Sequence, residues 1–177
     1  MTSMRRLLLF RHATAERGAL GTSDQARELT PEGRADAATM GRYIAKHAFK
    51  PDRVLVSPAV RTRETWTAMQ PALGNIATDI DAAIYDATPE GMLAVLKNAP
   101  AAAQTVLLIG HNPGLHQFAV QLTATGDIDV RERLRENFPT SGLAIFDFAL
   151  ESWPALHPRS GRLERFVSPK TISAATN

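Results

Sequence analysis

The chain has 177 residues, of which 44% are hydrophobic and 21% are charged, a length and composition that indicate one folded domain and exclude a disordered or fibrous chain. Twenty Lys and Arg residues against 18 Asp and Glu leave a formal net charge of +2, which is too small to indicate binding to nucleic acid or to an anionic membrane. The chain lacks cysteine, which excludes disulfides, thiolate metal sites and a cysteine nucleophile and is compatible with the cytoplasmic location that we expect.

No segment predicts export or membrane insertion. The apolar run of Leu7 to Phe10 lies between Arg6 and Arg11 and is shorter than the roughly 7–15 residues of a signal-peptide core. No stretch approaches the roughly 18 apolar residues that would cross a bilayer. We therefore expect no membrane anchor.

Short apolar runs alternate with helical patterns through the first two thirds of the chain, which is typical of a parallel sheet covered by helices. Three apolar runs predict buried central strands: Leu7–Phe10, Val54–Val56 and Val106–Ile109. Helices are predicted near 31–48, 58–72, 89–98 and 113–123. Each begins where a hydroxyl or amide side chain precedes proline, at Thr30, Ser57, Thr88 and Asn112.

The last third of the chain completes the predicted sheet. Residues 127–137 carry charges of both signs, which is typical of a solvated helix face. Leu143–Phe148 and Leu163–Val167 predict two further strands, paired antiparallel at one sheet edge, and the tail at 169–177 is expected to be frayed. The sequence therefore predicts an α/β fold: one domain over 1–177 with three α/β/α layers, a mostly parallel central sheet and an antiparallel edge.

Four basic side chains follow the predicted central strands. Arg11 and His12 follow the first strand, Arg61 lies in the first turn of the helix after the second, and His111 follows the third. The carboxyl ends of parallel strands form the ligand-binding edge of an open α/β sheet, where helix N-termini add positive potential. Arginine forks match phosphate oxygens, and an imidazole that is neutral at pH 7 can act as a nucleophile. A single histidine after a strand is most often structural, but four basic side chains at one sheet edge favour a phosphate site.

These residues lie in sequence blocks that resemble the histidine phosphatase superfamily, in its small phosphohistidine phosphatase (SixA-like) group. The blocks are Leu8–Ala13, Leu29–Gly33, Val56–Thr62 and Gly110–Gly114, and their order spans most of the chain. The resemblance implies a phosphoglycerate-mutase-like fold and a mechanism in which His12 attacks phosphorus. It further implies that Arg11, Arg61 and His111 hold the phosphate oxygens, that water then hydrolyses the phosphohistidine, and that no metal or organic cofactor takes part.

The proton donor is less clearly marked in the sequence. In the wider superfamily a carboxylate protonates the leaving group, and Ile84-Tyr85-Asp86 resembles the stretch that supplies it. Asp86 is the first candidate and Glu90 the second, although aspartate is also common as a turn or cap residue before a helix. Arg27 resembles a recurring basic position near the phosphate, and its alternative interpretation is an exposed surface charge.

The remaining histidines do not predict a metal site. His111 and His116 are five residues apart, about 140° around a helix, so their side chains do not share a face. His47 lies at the predicted end of a helix, where the helix dipole would stabilise its charged form.

Three functions remain open at this point. The first is a metal-independent phosphatase acting through His12, with a phosphohistidine protein as its preferred substrate. The second is a small-molecule phosphatase, for a sugar or nucleotide phosphate, or a mutase of the same superfamily. The third is a phosphate-binding module without turnover. Only 24 residues lie between Arg61 and Asp86, too few for a lid domain, which favours an open site and a macromolecular substrate.

Overall fold

A computed structural model of the chain describes residues 3–175 and contains one seven-stranded mixed sheet. The strands are β1 (Met4–Arg11), β2 (Arg53–Val56), β3 (Thr78–Ile80), β4 (Thr105–Gly110), β5 (Thr123–Gly126), β6 (Leu143–Ala149) and β7 (Gly161–Val167). The α-helices are α1 (Pro31–Lys46), α2 (Val60–Leu73), α3 (Pro89–Lys97), α4 (Gly114–Leu122), α5 (Ile128–Glu136) and α6 (Pro169–Ala174).

The sheet has the order β3-β2-β4-β1-β6-β7-β5. Strands β3, β2, β4 and β1 are mutually parallel, whereas β6 runs antiparallel to β1 and β7 antiparallel to β6. The predicted fold class is therefore confirmed, including the antiparallel β6–β7 pair. That pair is not the outer edge, because β5 pairs with β7 beyond it. Neither β3 nor β5 was predicted, since both are short and carry mostly polar or small residues instead of an apolar run.

Strand β1 explains why the central strands are apolar throughout. Leu7 and Leu9 point into one core and Leu8 and Phe10 into the other, and all four are fully buried. Side chains alternate between the two faces of a strand, so a strand covered on both sides needs apolar residues at every position. Helices α1 and α2 cover the Leu8 face, and α3, α4 and α5 cover the Leu7 face.

Two of the four predicted helix starts use the same local sequence, Thr-Pro-Glu-Gly. In α1 the hydroxyl of Thr30 accepts a hydrogen bond from the Gly33 N–H at 2.9 Å, and in α3 the hydroxyl of Thr88 accepts one from Gly91 at 3.1 Å. Each threonine oxygen satisfies an N–H that the helix leaves unpaired, and proline occupies the first helical position.

The other two starts differ from the prediction. Helix α2 begins at Val60, after Ala59, and the Ser57 side chain does not cap it. Helix α4 begins at Gly114, after Pro113, and the amide of Asn112 donates instead to the Phe138 carbonyl at 2.9 Å. Both polar side chains are diverted from capping by tertiary contacts.

The predicted frayed tail is also wrong over most of its length. Residues 169–174 form α6, which a reciprocal capping box between Ser168 and Thr171 opens. Ile172 packs against the core beneath α1 and α2. Residues 176–177 lie outside the described residues. Among residues 3–175, no helix is both long and apolar enough to cross a membrane.

The two Thr-Pro-Glu-Gly helix starts differ in the space around their glycines. A Cβ atom at Gly33 would lie 2.2 Å from the Thr14 carbonyl oxygen, whereas at Gly91 the nearest atom would be the Thr88 hydroxyl oxygen at 3.4 Å. We expect Gly33→Ala to lower the free energy of unfolding by about 1–3 kcal/mol, because the backbone contact cannot relax without moving the chain after β1. Gly91→Ala occupies the same helix position and should be neutral or stabilising by up to about 1 kcal/mol. Urea unfolding of both variants checks this, and equal effects would contradict it.

Candidate active site

The register of three parallel strands brings the candidate residues to one sheet edge. Arg11 pairs with Gly110, the His12 N–H donates to the Gly110 carbonyl at 3.2 Å, and the Ser57 N–H donates to the Ile109 carbonyl at 3.2 Å. The residues that follow β1, β2 and β4 are therefore neighbours. The rings of His12 and His111 lie 5.3 Å apart between centroids.

The hydrogen bond of His12 fixes its tautomer. Its Nδ1 lies 2.7 Å from the Ala13 carbonyl oxygen. Because a carbonyl can only accept, Nδ1 must carry the proton, and the neutral ring then has its lone pair on Nε2. Burial lowers the pKa of His12 to about 3, with smaller contributions from the nearby His111, Arg61 and Arg11. The ring is therefore neutral at pH 7 and can act as a nucleophile through Nε2.

His111 lies beside His12 in a similar environment. Its Nε2 is 2.6 Å from the Ser57 hydroxyl, and the edge of the Tyr85 ring packs against it with centroids 5.4 Å apart. Burial lowers the pKa of His111 to about 4, and the positive charge of Arg61 lowers it further, whereas Asp24 opposes the shift. The Ser57 contact explains why this serine does not cap α2.

Both arginines are held by the protein through their terminal nitrogens. The Arg61 side chain is only 5% exposed, and it donates from Nη1 to the Asp24 backbone oxygen at 2.8 Å and from Nη2 to the Asp24 carboxylate at 3.0 Å. Arg11 donates from Nη1 to the Phe138 carbonyl at 3.1 Å, and burial lowers its pKa. The hydroxyl of Thr65 fixes α2 against the backbone after the histidine, because it accepts from the Ala13 N–H and donates to the Arg61 carbonyl.

Unpaired buried polar atoms concentrate at this edge. Seven buried side-chain nitrogen or oxygen atoms of the described chain have no hydrogen-bond partner, and five belong to this sheet edge: Arg11 Nε, Arg61 Nε, His111 Nδ1, Asn112 Oδ1 and Ser141 Oγ. A buried polar group without a partner costs about 1–3 kcal/mol, so such groups occur where a ligand can satisfy them. The three nitrogens can donate to an oxyanion, which makes this cluster suited to phosphate.

The two carboxylates considered as proton donors are both exposed. Asp86 follows Tyr85 in a turn and has a φ of +52°, a left-handed conformation that aspartate tolerates better than most residues. Glu90 lies in the first turn of α3. Asp86 directly follows Tyr85, whose ring packs on His111, so Asp86 is closer in sequence to a site contact than Glu90 is.

Arg27 reaches the site only through Asp24. Its guanidinium donates to the Asp24 carboxylate at 3.0 Å and to the Glu16 carbonyl at 3.0 Å. Asp24, Tyr85 and Ser57 each contact a predicted site residue. The sequence marks Ser57 only as a helix start and indicates no role for the side chains of Asp24 and Tyr85. Asp24 precedes Arg27 by three residues in an irregular segment, and no periodic pattern marks such a contact in advance.

The site is more recessed than the sequence suggests. As expected, the chain between Arg61 and Asp86 contains only the rest of α2, β3 and a short 3₁₀ turn, with no inserted domain. His12 is nevertheless buried at 8% exposure. The irregular segment 14–28 contacts Arg61 and Tyr85 through Asp24 and therefore lies beside the candidate site. The sequence does not predict this contact.

A groove lies away from the candidate site. It is lined by residues of α1, α5, β7 and α6, and it includes none of Arg11, His12, Arg61 and His111. Among the described residues, no cluster of three His, Cys, Asp or Glu side chains could hold a metal ion. His116 contacts the Leu134 carbonyl through Nε2. His47 is the C-cap residue of α1, at the helix end that the sequence predicts, and burial and the neighbouring Arg165 and Lys46 lower its pKa.

The chain is similar in sequence and fold to several known proteins. Residues 7–88 match the family model of the histidine phosphatase superfamily, branch 1. A structure from Agrobacterium tumefaciens, assigned as phosphohistidine phosphatase SixA, is 32% identical with a TM-score of 0.77 and covers 93% of this chain and 98% of its own. The chain belongs to the histidine phosphatase superfamily, in its SixA-like group.

Two further relatives extend the similarity. A structure from Nakamurella multipartitia, also assigned as SixA, has a TM-score of 0.83 and 26% identity and covers 94% of this chain and 97% of its own. The phosphohistidine phosphatase SixA homolog of Haemophilus influenzae is 30% identical over 129 residues, which are 66% of this chain and 76% of the relative. The phosphoglycerate-mutase-like fold class is also confirmed, because a phosphoglycerate mutase shares it with a TM-score of 0.61.

The tautomer of His12 is directly testable. In phosphate-free protein we expect its ring to remain neutral, with the proton on Nδ1, from pH 7 down to about pH 5, because burial lowers its pKa from the usual 6.5 to about 3. Long-range ¹H–¹⁵N correlation spectra of ¹⁵N-histidine protein distinguish the two tautomers and the charged ring. A His12 ring that takes up a proton near pH 6.5 would contradict the buried geometry.

Proposed function

We propose that this superfamily member is a phosphatase that transfers the phosphoryl group of its substrate to His12 and then to water. One observation carries the proposal: the neutral His12 ring presents Nε2 beside a cluster of buried donors that lack protein partners. A nucleophile and an oxyanion-binding cluster at the same sheet edge are the two components that phosphoryl transfer requires.

In the first step Nε2 of His12 attacks phosphorus, and the bond from phosphorus to the leaving group breaks. The leaving group takes the bonding electron pair and then a proton, for which Asp86 is the proposed donor and Glu90 the alternative. Arg11, Arg61 and His111 hold the phosphoryl oxygens, where charge shifts in the transition state. In the second step water attacks phosphorus and gives a proton to the carboxylate that donated in the first step. The N–P bond breaks, its electron pair returns to Nε2, and phosphate leaves with His12 neutral again.

The residues themselves supply the positive charge that stabilises this transition state. Two guanidinium groups and the His111 ring surround the proposed phosphate position, so we propose that the reaction is independent of metals and cofactors. Retention of full activity in EDTA would support this. The cytoplasmic location stays a prediction from the cysteine-free composition.

A phosphohistidine protein is the substrate that we favour. Relatives assigned as SixA point to this substrate, and the absence of an inserted domain between Arg61 and Asp86 favours a macromolecule over an enclosed metabolite. A mutase must exclude water from the phosphohistidine, for which a larger cover would be needed. A pure binding module would need the arginines but not a histidine with a free Nε2 at their centre.

The covalent step is tested by substitution of the nucleophile. We expect His12→Ala to reduce phosphate release from an aryl phosphate at least about 10³-fold and to remove the acid-labile phosphoenzyme, because the nitrogen proposed to bond to phosphorus is lost. Arg61→Ala should lower kcat on the order of 10²-fold through lost charge stabilisation. His157→Ala, at an exposed histidine outside the site, is the matched control and should be unchanged. Near-normal turnover by His12→Ala would overturn the mechanism.

The proton donor is tested by varying the leaving group. Imidazole departs from a protonated phosphohistidine as a neutral molecule, whereas an alkoxide needs a proton as its bond to phosphorus breaks. We therefore expect Asp86→Asn to lower kcat/KM on the order of 10²-fold for an alkyl phosphate and by less than about 3-fold for a phosphohistidine peptide. Glu90→Gln is the comparison, since Glu90 is the other exposed candidate nearby. The same selective loss in Glu90→Gln alone would transfer the role to Glu90.

A further inference from the structure

The carboxylate of Asp24 joins three side chains, two of which, Arg61 and Tyr85, come from distant parts of the chain. One oxygen, Oδ2, accepts from Arg61 Nη2 at 3.0 Å and from the Tyr85 hydroxyl at 2.5 Å. The other, Oδ1, accepts from Arg27 at 3.0 Å, and the Asp24 backbone oxygen accepts from Arg61 Nη1 at 2.8 Å. A residue whose side chain is 51% exposed thus contacts a buried arginine and a ring that packs on His111.

The edge of the guanidinium that Asp24 uses matters for phosphate binding. A guanidinium has an end-on edge formed by its two Nη groups and a side-on edge formed by Nε and Nη2. Asp147 occupies the side-on edge of Arg6, with contacts to Nε at 2.6 Å and to Nη2 at 2.8 Å. Asp24 instead takes the end-on edge of Arg61, and Arg61 Nε is buried without a partner. The side-on edge of Arg61 therefore keeps a donor, Nε, that no protein acceptor takes.

We propose that Asp24 is a positioning residue that holds Arg61 by its end-on edge, so that the side-on edge faces the phosphoryl group, and that anchors Tyr85 against His111. This inference rests on the proposed phosphatase function and adds a residue that acts on phosphate only through Arg61 and Tyr85. In this proposal, the irregular segment 14–28 places the Asp24 carboxylate beside Arg61.

Two other roles for Asp24 fit the contacts less well. A carboxylate that mimics phosphate and blocks the site would occupy the edge that phosphate needs, yet Arg61 Nε has no partner. A proton donor must hold a proton near neutral pH, whereas the hydrogen bond from Tyr85, together with those from Arg61 and Arg27, lowers the pKa of Asp24 to about 2. Asp24 is therefore charged at neutral pH and acts as an acceptor.

Loss of the carboxylate should affect turnover more than binding. Without Asp24 the guanidinium of Arg61 can rotate and meet phosphate with either edge, so ground-state affinity is kept. The transition state needs one orientation of the guanidinium, and small misplacements of catalytic groups cost up to about 10²-fold in rate. A fall in kcat without a rise in KM is the signature of this role.

The experiment compares four variants of the full chain with an aryl phosphate and with inorganic phosphate as the ground-state binding probe. We expect Asp24→Ala to lower kcat about 10–100-fold with KM and the phosphate Kd unchanged or lower. Asp24→Asn keeps an oxygen that can accept from Arg61 and Tyr85 and should recover part of kcat. Tyr85→Phe removes one donor to the same carboxylate and should lower kcat less than Asp24→Ala.

The control is Asp79→Asn. Asp79 is an aspartate of similar exposure that pairs with Arg53 at the far end of β2, and its variant should match the wild type. Circular dichroism and urea midpoints separate misfolding from the proposed effect, since a misfolded fraction lowers kcat without the Asn rescue.

Three outcomes would overturn the inference. Unchanged kcat and KM in Asp24→Ala would reduce Asp24 to a surface contact. A lower Kd for inorganic phosphate with full kcat would make it a competitor of phosphate. A rise in KM with unchanged kcat would make it a binding residue. If the wild type itself shows no His12-dependent phosphate release, the proposed function fails before Asp24 is tested, so the two failures are distinguishable.

Discussion

The pairing of β1 with β4 is the constraint on which the site depends. Parallel register sets Arg11 opposite Gly110, so the residues that follow each strand, His12 and His111, emerge side by side. Neither strand can slip by one residue, because all the apolar side chains would then exchange faces between two differently shaped cores. The apolar residues of β1 and β4 thus fix the relative position of two imidazoles that contribute nothing to the cores. Catalytic geometry here is a consequence of sheet packing.

Burial determines the charge states of the histidines at the site. The chain as a whole is nearly neutral, with a net charge of +2, yet Arg61, His12 and His111 are buried together and Arg11 beside them is half-buried. Low exposure keeps both rings uncharged at neutral pH, and a guanidinium carries its charge throughout the physiological range. A neutral nucleophile surrounded by fixed positive charge is the combination that attack on a phosphate dianion requires, since a protonated ring has no lone pair to give.

The sequence predicts the parts of this protein that follow from periodicity and strand ends. Leu7–Phe10, Val54–Val56 and Val106–Ile109 mark strands because double-sided burial demands continuous apolar residues, and the positions after them follow from the topology of parallel sheets. Contacts that depend on tertiary geometry lie beyond such reasoning. Ser57 looks like a helix cap in sequence and instead contacts His111, and Asp24 lies in a segment without periodicity yet contacts Arg61 from 37 residues away. Strand β5 lacks any apolar signal because it only adds to an edge.

The diversion of Ser57 has a thermodynamic consequence. With Ala59 at the N-cap, no side chain accepts from the first N–H groups of α2, and the unpaired nitrogens of Arg11, Arg61 and His111 lie at the same edge of the sheet. An anion bound there would satisfy donors that the folded chain leaves unpaired and that water satisfies in the unfolded chain. Folding and anion binding at this edge are then thermodynamically linked. At a concentration of 100 times its dissociation constant, an anion that binds only the folded state adds about 2.7 kcal/mol to the free energy of unfolding. If the proposed site binds phosphate, the stability of this protein therefore rises with the phosphate concentration around it.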